Sequence, residues 1–139
     1  MILGRGVIMD DLLNMFDILS DRTRLRILLL LRNHELCVCE IFGALNLSQP
    51  RVSRQLAVLK QSRIIKDRRE GKWIYYQMNE SDENSYLLQI LSKLPHWLKD
   101  DPEFVFDQEM LQKVIKKFDL PTFIDKDCCK EVEKNESSK

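Results

Sequence analysis

The chain has no long apolar run. Its longest unbroken stretch, Ile27 to Leu31, is far short of the ~20 residues that a membrane-spanning helix needs. No continuous apolar segment of signal-peptide length stands at the N-terminus. From both absences we expect a cytoplasmic protein with no membrane partner, whose four cysteines are thiols rather than two disulfides. Internal repeats and low-complexity segments are also missing. No C-x-x-C pair occurs in a strand–helix context, and no His/Asp partner is spaced as a nucleophile's base. Those two absences argue against a thiol oxidoreductase or a thiol-based processing enzyme, and we expect no enzymatic activity.

Net charge is absent as well, with 22 Lys and Arg against 22 Asp and Glu. That balance hides an asymmetry. Residues 48–78 hold eight Lys/Arg (Arg51, Arg54, Lys60, Arg63, Lys66, Arg68, Arg69, Lys72) against Asp67 and Glu70, a local excess of +6. Residues 80–139 hold nine Lys against fourteen Asp/Glu, an excess of −5. A basic block in a neutral chain is the footprint of a segment that faces phosphates. A charge run alone is more often a solvated surface, but this one coincides with a DNA-reading pattern.

The 139 residues, 44% apolar and 32% charged, suffice for one core. Met9, Leu12, Leu13, Phe16 and Leu19 recur at helical spacing and predict a first helix over residues 8–19. Ser20 or Asp21 can cap a second helix, Arg22 to Arg32, with Leu25, Leu28 and Leu29 on its apolar face. Asn33, His34 and Glu35 then form a turn. Val38, Ile41, Phe42 and Leu45 give a short third helix, and Leu47 and Ser48 the next turn. Ser48 is a good N-cap for a fourth helix with Pro50 in its first turn. There Val52, Leu56 and Leu59 share one face, while Pro50, Arg54, Ala57 and Gln61 point the other way, with Arg51 and Ser53 on the flanks. This is a helix–turn–helix whose outer face suits a major groove.

Ile64–Arg69 and Lys72–Met78 read as two strands around Glu70 and Gly71, the second with a period of two. Arg68, Arg69 and Lys72 lie near the hairpin tip, placed to touch a phosphate backbone or minor groove. The expected fold is therefore mainly α with a small β-hairpin: a winged helix–turn–helix, homodimeric. Ser81 or Asp82 starts a further helix along Leu87, Ile90, Leu91 and Leu94, which Pro95 ends. A last amphipathic helix follows Asp107 with Leu111, Val114, Ile115 and Phe118. We divide the chain into residues 1–100 for DNA binding and dimerisation, 101–124 for the C-terminal helix, and 125–139 for a charged tail. So many apolar faces call for a twofold dimer, which matches an operator of two half-sites one DNA turn apart.

Cys37 and Cys39 stand at the mouth of the third helix. Thiolates are soft ligands for thiophilic ions, and a helix N-terminus favours the thiolate form. C-x-C spacing alone also fits two buried, inert cysteines. Cys128 and Cys129 are adjacent in the charged tail. They can supply a third ligand to the first pair, bind an ion by themselves, or do nothing. Neither His34 nor His96 is assigned to a metal.

ELCVCE followed by LNLSQPRVSRQLAVLKQSRIIKDRREGKWIYY resembles the ArsR/SmtB family of metalloid- and metal-responsive repressors over most of residues 8–94. The ELCVCE segment is most similar to the arsenic-sensing members. The resemblance implies a homodimeric repressor that binds operator DNA when empty and releases it on binding arsenite or antimonite, with no organic cofactor. Cys37 and Cys39 then match two arsenic-binding thiolates. Ser48, Gln49, Arg51, Ser53 and Arg54 match the DNA-reading segment, with Gln55 where the familiar S-R-H-L string has His. Phe42 stands where the best-known arsenic pattern has a third cysteine. Trivalent arsenic prefers three thiolates, so either Cys128 or Cys129 completes the site, or the effector is a methylated or phenylated arsenical that needs two. Related cadmium/lead sensors add an N-terminal cysteine that MILGRGVIMDDLL does not have, and residues 82–94 contain no His for the zinc site of other members. A cadmium-, lead- or zinc-responsive repressor and a thiol redox switch of the same fold remain the alternatives.

Overall fold

The structure, a computed structural model, describes the backbone of residues 8–119 and the side chains of residues 8–116. Helix α1 (Met9–Leu19) carries Asp10 and Asp11 in its first turn, where they oppose the positive end of the helix dipole. Helix α2 (Arg22–Leu31) is capped by Asp21, whose carboxylate accepts from the Arg24 N–H at 2.9 Å. Strand β1 (Leu36–Cys37) runs directly into α3 (Val38–Leu45). That helix ends at Asn46, which takes φ +54°, and asparagine is among the few side chains that tolerate the left-handed region. Ser48 then caps α4 (Gln49–Gln61), accepting from the Arg51 N–H at 3.3 Å, with Pro50 in the first turn. The α3–α4 turn is thus fixed by its own residues at both ends.

Strands β2 (Ile65–Glu70) and β3 (Trp73–Met78) form the hairpin, with Glu70 opposite Trp73. Gly71 takes φ +62° at the first of the two loop residues, where tight hairpin turns need left-handed backbone. A 3-10 turn (Asp82–Asn84) leads to α5 (Ser85–Trp97) and α6 (Pro102–Asp119). One core gathers every layer. Ile27, Leu28, Leu30 and Leu31 of α2, Ile41 of α3, Val52, Leu56 and Leu59 of α4, Leu36 and Ile65 of the sheet, Leu91 of α5 and Leu111 of α6 are all fully buried. No described helix is long and apolar enough to cross a membrane.

Several elements differ from the sequence-based expectation. The sheet has three strands, antiparallel, in the order β1-β3-β2, so the residues before Cys37 are a strand edge and not only a turn. Helix α2 is buried on more than one face, with Ile27, Leu30 and Leu31 inside as well as Leu28 and Leu29. Pro95 does not end α5. It forfeits one hydrogen bond close to the helix end, and the Leu98 N–H closes the last turn on the Leu94 carbonyl at 2.8 Å. Helix α6 begins at Pro102, well before Asp107, because the Asp101 carboxylate caps it by accepting from the Phe104 N–H at 2.9 Å. The apolar stripe of α1 divides: Leu12 and Leu19 pack inward with Met15 and Ile18, while Met9, Leu13 and Phe16 face outward. The side chain of Phe118, Cys128 and Cys129 lie outside the described residues.

Candidate nucleic-acid interface and thiol site

Helix α4 presents Arg54, Ala57 and Gln61 outward, as its periodicity predicts, whereas Pro50 is half-buried and the flanking Arg51 is exposed. Arg51, Arg54, Arg69 and Lys72 are exposed and enter no ion pair among the described residues, so four cations stand free to meet phosphates or base edges. The other candidate readers on α4 also make hydrogen bonds within the protein. Ser48 is the α4 cap. Gln49 is buried and donates through Nε2 to the Ser53 hydroxyl. Gln55 is half-buried, and its Oε1 accepts from Arg24 Nη1 at 3.2 Å. Arg24 also donates to the carbonyls of Ile18 (3.0 Å) and Asp17 (3.1 Å), so Gln55 joins α4 to the end of α1.

Cys37 and Cys39 form no disulfide and are buried, 3% and 1% exposed. They pack with Val38, Phe42, Trp73 and Tyr75, which enclose the sulfurs in apolar and aromatic walls. Cys37 belongs to two elements at once. As a β1 residue it lies opposite Tyr75 of β3, and as the N-cap residue it opens α3. The cap is a reciprocal box with Glu40: the Cys37 N–H donates to Glu40 Oε1 at 2.9 Å, and the cysteine side chain faces the Glu40 N–H. Among the described residues no three His, Cys, Asp or Glu side chains converge, so this pocket offers two sulfurs.

The wing cation Arg68 is tied down. Its Nε and Nη2 donate to Glu35 at 2.8 and 2.6 Å, its Nη1 donates to Glu70 at 2.7 Å, and its guanidinium sits 4.6 Å above the Tyr75 ring. The Glu35 carboxyl is held below its ordinary value chiefly by the hydrogen bond from Arg68. A depressed carboxyl contributes stability above its unfolded pKa and loses it as pH falls through the folded value, so this pair is closed at neutral pH. Burial first, then charge on Cys37, Glu40 and Glu70, pushes the Tyr75 hydroxyl upward against the pull of Arg68. Glu35, Glu40, Trp73 and Tyr75 stand inside the motifs quoted above, but no role at the site was assigned to them from sequence, because their partners come together only through the sheet.

Beneath α3 lies a buried ion pair. Arg26 of α2 grips Asp107 of α6 through Nε and Nη2, both at 2.8 Å, and Nη2 also donates to the Leu45 carbonyl at 3.0 Å. That carbonyl belongs to the last residue of α3, so one guanidinium ties α6 to the end of α3, where the turn to α4 begins.

A buried helix–turn–helix with a cationic outer face and a basic hairpin beside it defines a winged-helix DNA-binding transcription regulator, not an enzyme. The family model for the bacterial regulatory proteins of the arsR family matches residues 21–67. The arsenical resistance operon repressor of Escherichia coli is 36% identical over 107 residues, covering 75% of this chain and 81% of that protein. An arsenic resistance transcriptional regulator of Pseudomonas putida is 44% identical over 92 residues, 63% of this chain and 80% of that protein. Among solved structures, the AntR antimony-specific transcriptional repressor is 27% identical, with TM-score 0.54 over 72% of this chain and 94% of that one. HlyU from Vibrio cholerae is 28% identical, with TM-score 0.55 over 61% and 91%. The chain belongs to the arsR family of transcriptional regulators.

Proposed function

We propose that this protein is a homodimeric repressor that holds a two-half-site operator when empty and releases it when Cys37 and Cys39 capture trivalent arsenic or antimony. The observation that carries this is the double position of Cys37, strand partner of the wing and cap of α3. A ligand that draws the two sulfurs together competes with the cap and shifts the first turn of α3. Helix α4 follows, because α3 and α4 are joined by the short turn between Asn46 and Ser48. A small displacement in each subunit then spoils the spacing of two recognition helices. The E. coli and P. putida relatives are regulators of arsenical resistance by name, and the AntR neighbour is antimony-specific, which supports this effector class.

The bound trivalent centre supplies a soft acceptor for thiolate sulfur, and the donor set fits it: two thiols, apolar walls and no hard oxygen ligand required. A third sulfur comes from Cys128 or Cys129 when the effector is inorganic, and an organoarsenical needs only the first pair. The dimer is supported by apolar surface that this subunit leaves exposed, including Phe16 at 49% and Trp97 at 64%. Arg51 and Arg54 face the groove, Arg69 and Lys72 face phosphates, and Ser48, Gln49, Ser53 and Gln55 hold the reading helix in shape.

The test is fluorescence anisotropy on an operator duplex selected with the protein itself, titrated with arsenite, a phenylarsenical, antimonite, cadmium and zinc in reducing buffer. Release by the arsenicals or antimonite supports the proposal. Release only by cadmium or zinc, or only by peroxide without metalloid, replaces it with a metal or redox switch. Arg54→Ala is expected to weaken operator binding by ~1–3 kcal/mol if the guanidinium reads a base edge. An unchanged affinity in the same assay removes Arg54 from the reading set.

A further inference from the structure

We propose that Glu35 and Arg68 form a clamp that carries the state of the Cys37/Cys39 thiols into the wing, so that both the recognition helix and the hairpin respond to effector. This rests on the function proposed above. The three strands align the parts in one row: Cys37 of β1 is opposite Tyr75 of β3, which is opposite Arg68 of β2. Arg68 lies over the Tyr75 ring at 4.6 Å and reaches across β3 to grip both oxygens of Glu35, at 2.8 and 2.6 Å, two residues before Cys37. Tyr75 itself packs on the thiol pair. The row therefore runs from sulfur through an aromatic ring to a guanidinium, and returns through Glu35 to the segment that carries the sulfur. A shift of Cys37 moves Glu35 with it and must stretch or turn the clamp.

The neighbouring wing cations Arg69 and Lys72 have no such tie among the described residues. The bond from Arg68 to Glu70 stays within β2 and transmits nothing across the sheet. An exposed ion pair contributes little to stability, so removing the clamp leaves the fold intact and exposes its positioning role. Bidentate geometry matters here, because a fork-to-fork pair fixes direction as well as distance.

The experiment follows amide exchange of peptides covering residues 65–78, with and without arsenite, in wild type, Glu35→Gln, Arg68→Lys and Glu70→Gln. Trp73 packs beside the thiols, so the part of the arsenite-induced change in fluorescence that is lost in Cys37→Ser reports loading, and operator affinity is read in parallel. Arsenite is expected to change wing exchange about tenfold in wild type and Glu70→Gln. In Glu35→Gln and Arg68→Lys the thiols should load normally, the wing should exchange alike with and without arsenite, and the ratio of empty to loaded operator affinity should fall about tenfold. A wild-type wing response in Glu35→Gln, or no wing response in wild type, overturns the clamp. Wing response with unchanged operator affinity keeps the clamp and overturns the repressor mechanism. If Trp73 shows no loading, both fall together.

Discussion

Cys37→Ser is expected to bind operator as wild type does and to lose release by arsenite altogether. The hydroxyl is a better helix cap than the thiol it replaces, so the capping box with Glu40 and the first turn of α3 should persist. What disappears is the soft donor. Cys39→Ala removes the second sulfur from a site 1% exposed and should cost about 1 kcal/mol of stability, again without harming the outward face of α4. Converting a mostly bound population to a mostly free one takes a ~10⁴-fold preference between states, and neither variant can supply it with one sulfur at the α3 mouth. Anisotropy with and without arsenite measures both quantities at once. Loss of operator binding in Cys37→Ser would instead make the thiol a structural part of the fold. A Cys128→Ser/Cys129→Ser variant run alongside separates the two possible donor sets. If it loses the arsenite response but keeps that to a phenylarsenical, the tail completes a three-sulfur site.

The parts of this fold that were legible in the sequence are those fixed by local rules. Helix α4 announces itself by the Ser48 cap, Pro50 and the Val52, Leu56, Leu59 face, and the hairpin by alternation around Gly71. Strand β1 was invisible because two residues carry no periodicity, and its existence depends on β3, some forty positions later. The Asp101–Pro102 start of α6 was legible by the same capping rule that found α4, but the apolar stripe beginning at Leu111 drew the boundary too late. Helical periodicity put Ser53 on a flank of α4, but it does not tell where the polar ends of Gln49 and Gln55 go. A long amide on the flank of a helix can fold back on a neighbour, and Gln49 and Gln55 do so. Arg68 shows the same limit for charge. Its basic character pointed to phosphate, but the sequence did not show its pairing with Glu35, which lies 33 positions away and becomes a neighbour only when β1 joins the sheet. Local pattern therefore located the site, and non-local pairing decided which of its cations are free.

Asp107→Asn is expected to lower stability by ~3–5 kcal/mol, the cost of leaving a buried charge without its partner. Asp107 is 3% exposed and meets Arg26 with two bonds of 2.8 Å. The hydrogen bonds that it donates to Asp107 are the main reason that the Arg26 guanidinium is held above its ordinary value, against the opposing effect of burial. An amide accepts one of the two bonds and neutralises nothing. A domain of this size has roughly 5–15 kcal/mol in total, so thermal denaturation should show a fall of ~10–20 °C. The pair is not thereby a large net source of stability, since replacing both members by apolar residues of similar volume is often neutral or better. Arg26→Met/Asp107→Leu should accordingly melt within a few degrees of wild type. Its defect should lie elsewhere: the Arg26 bond to the Leu45 carbonyl is lost, and with it the tie between α6 and the last turn of α3. The double variant is therefore expected to fold normally and bind operator more weakly than wild type. A single Asp107→Asn variant that melts like wild type would show that solvent reaches the pair and that α6 is not fastened to α3 in this way. A double variant with both normal stability and normal operator affinity would show that α6 is fastened there by its apolar face, through Leu111, and that the ion pair only fixes which helix it chooses.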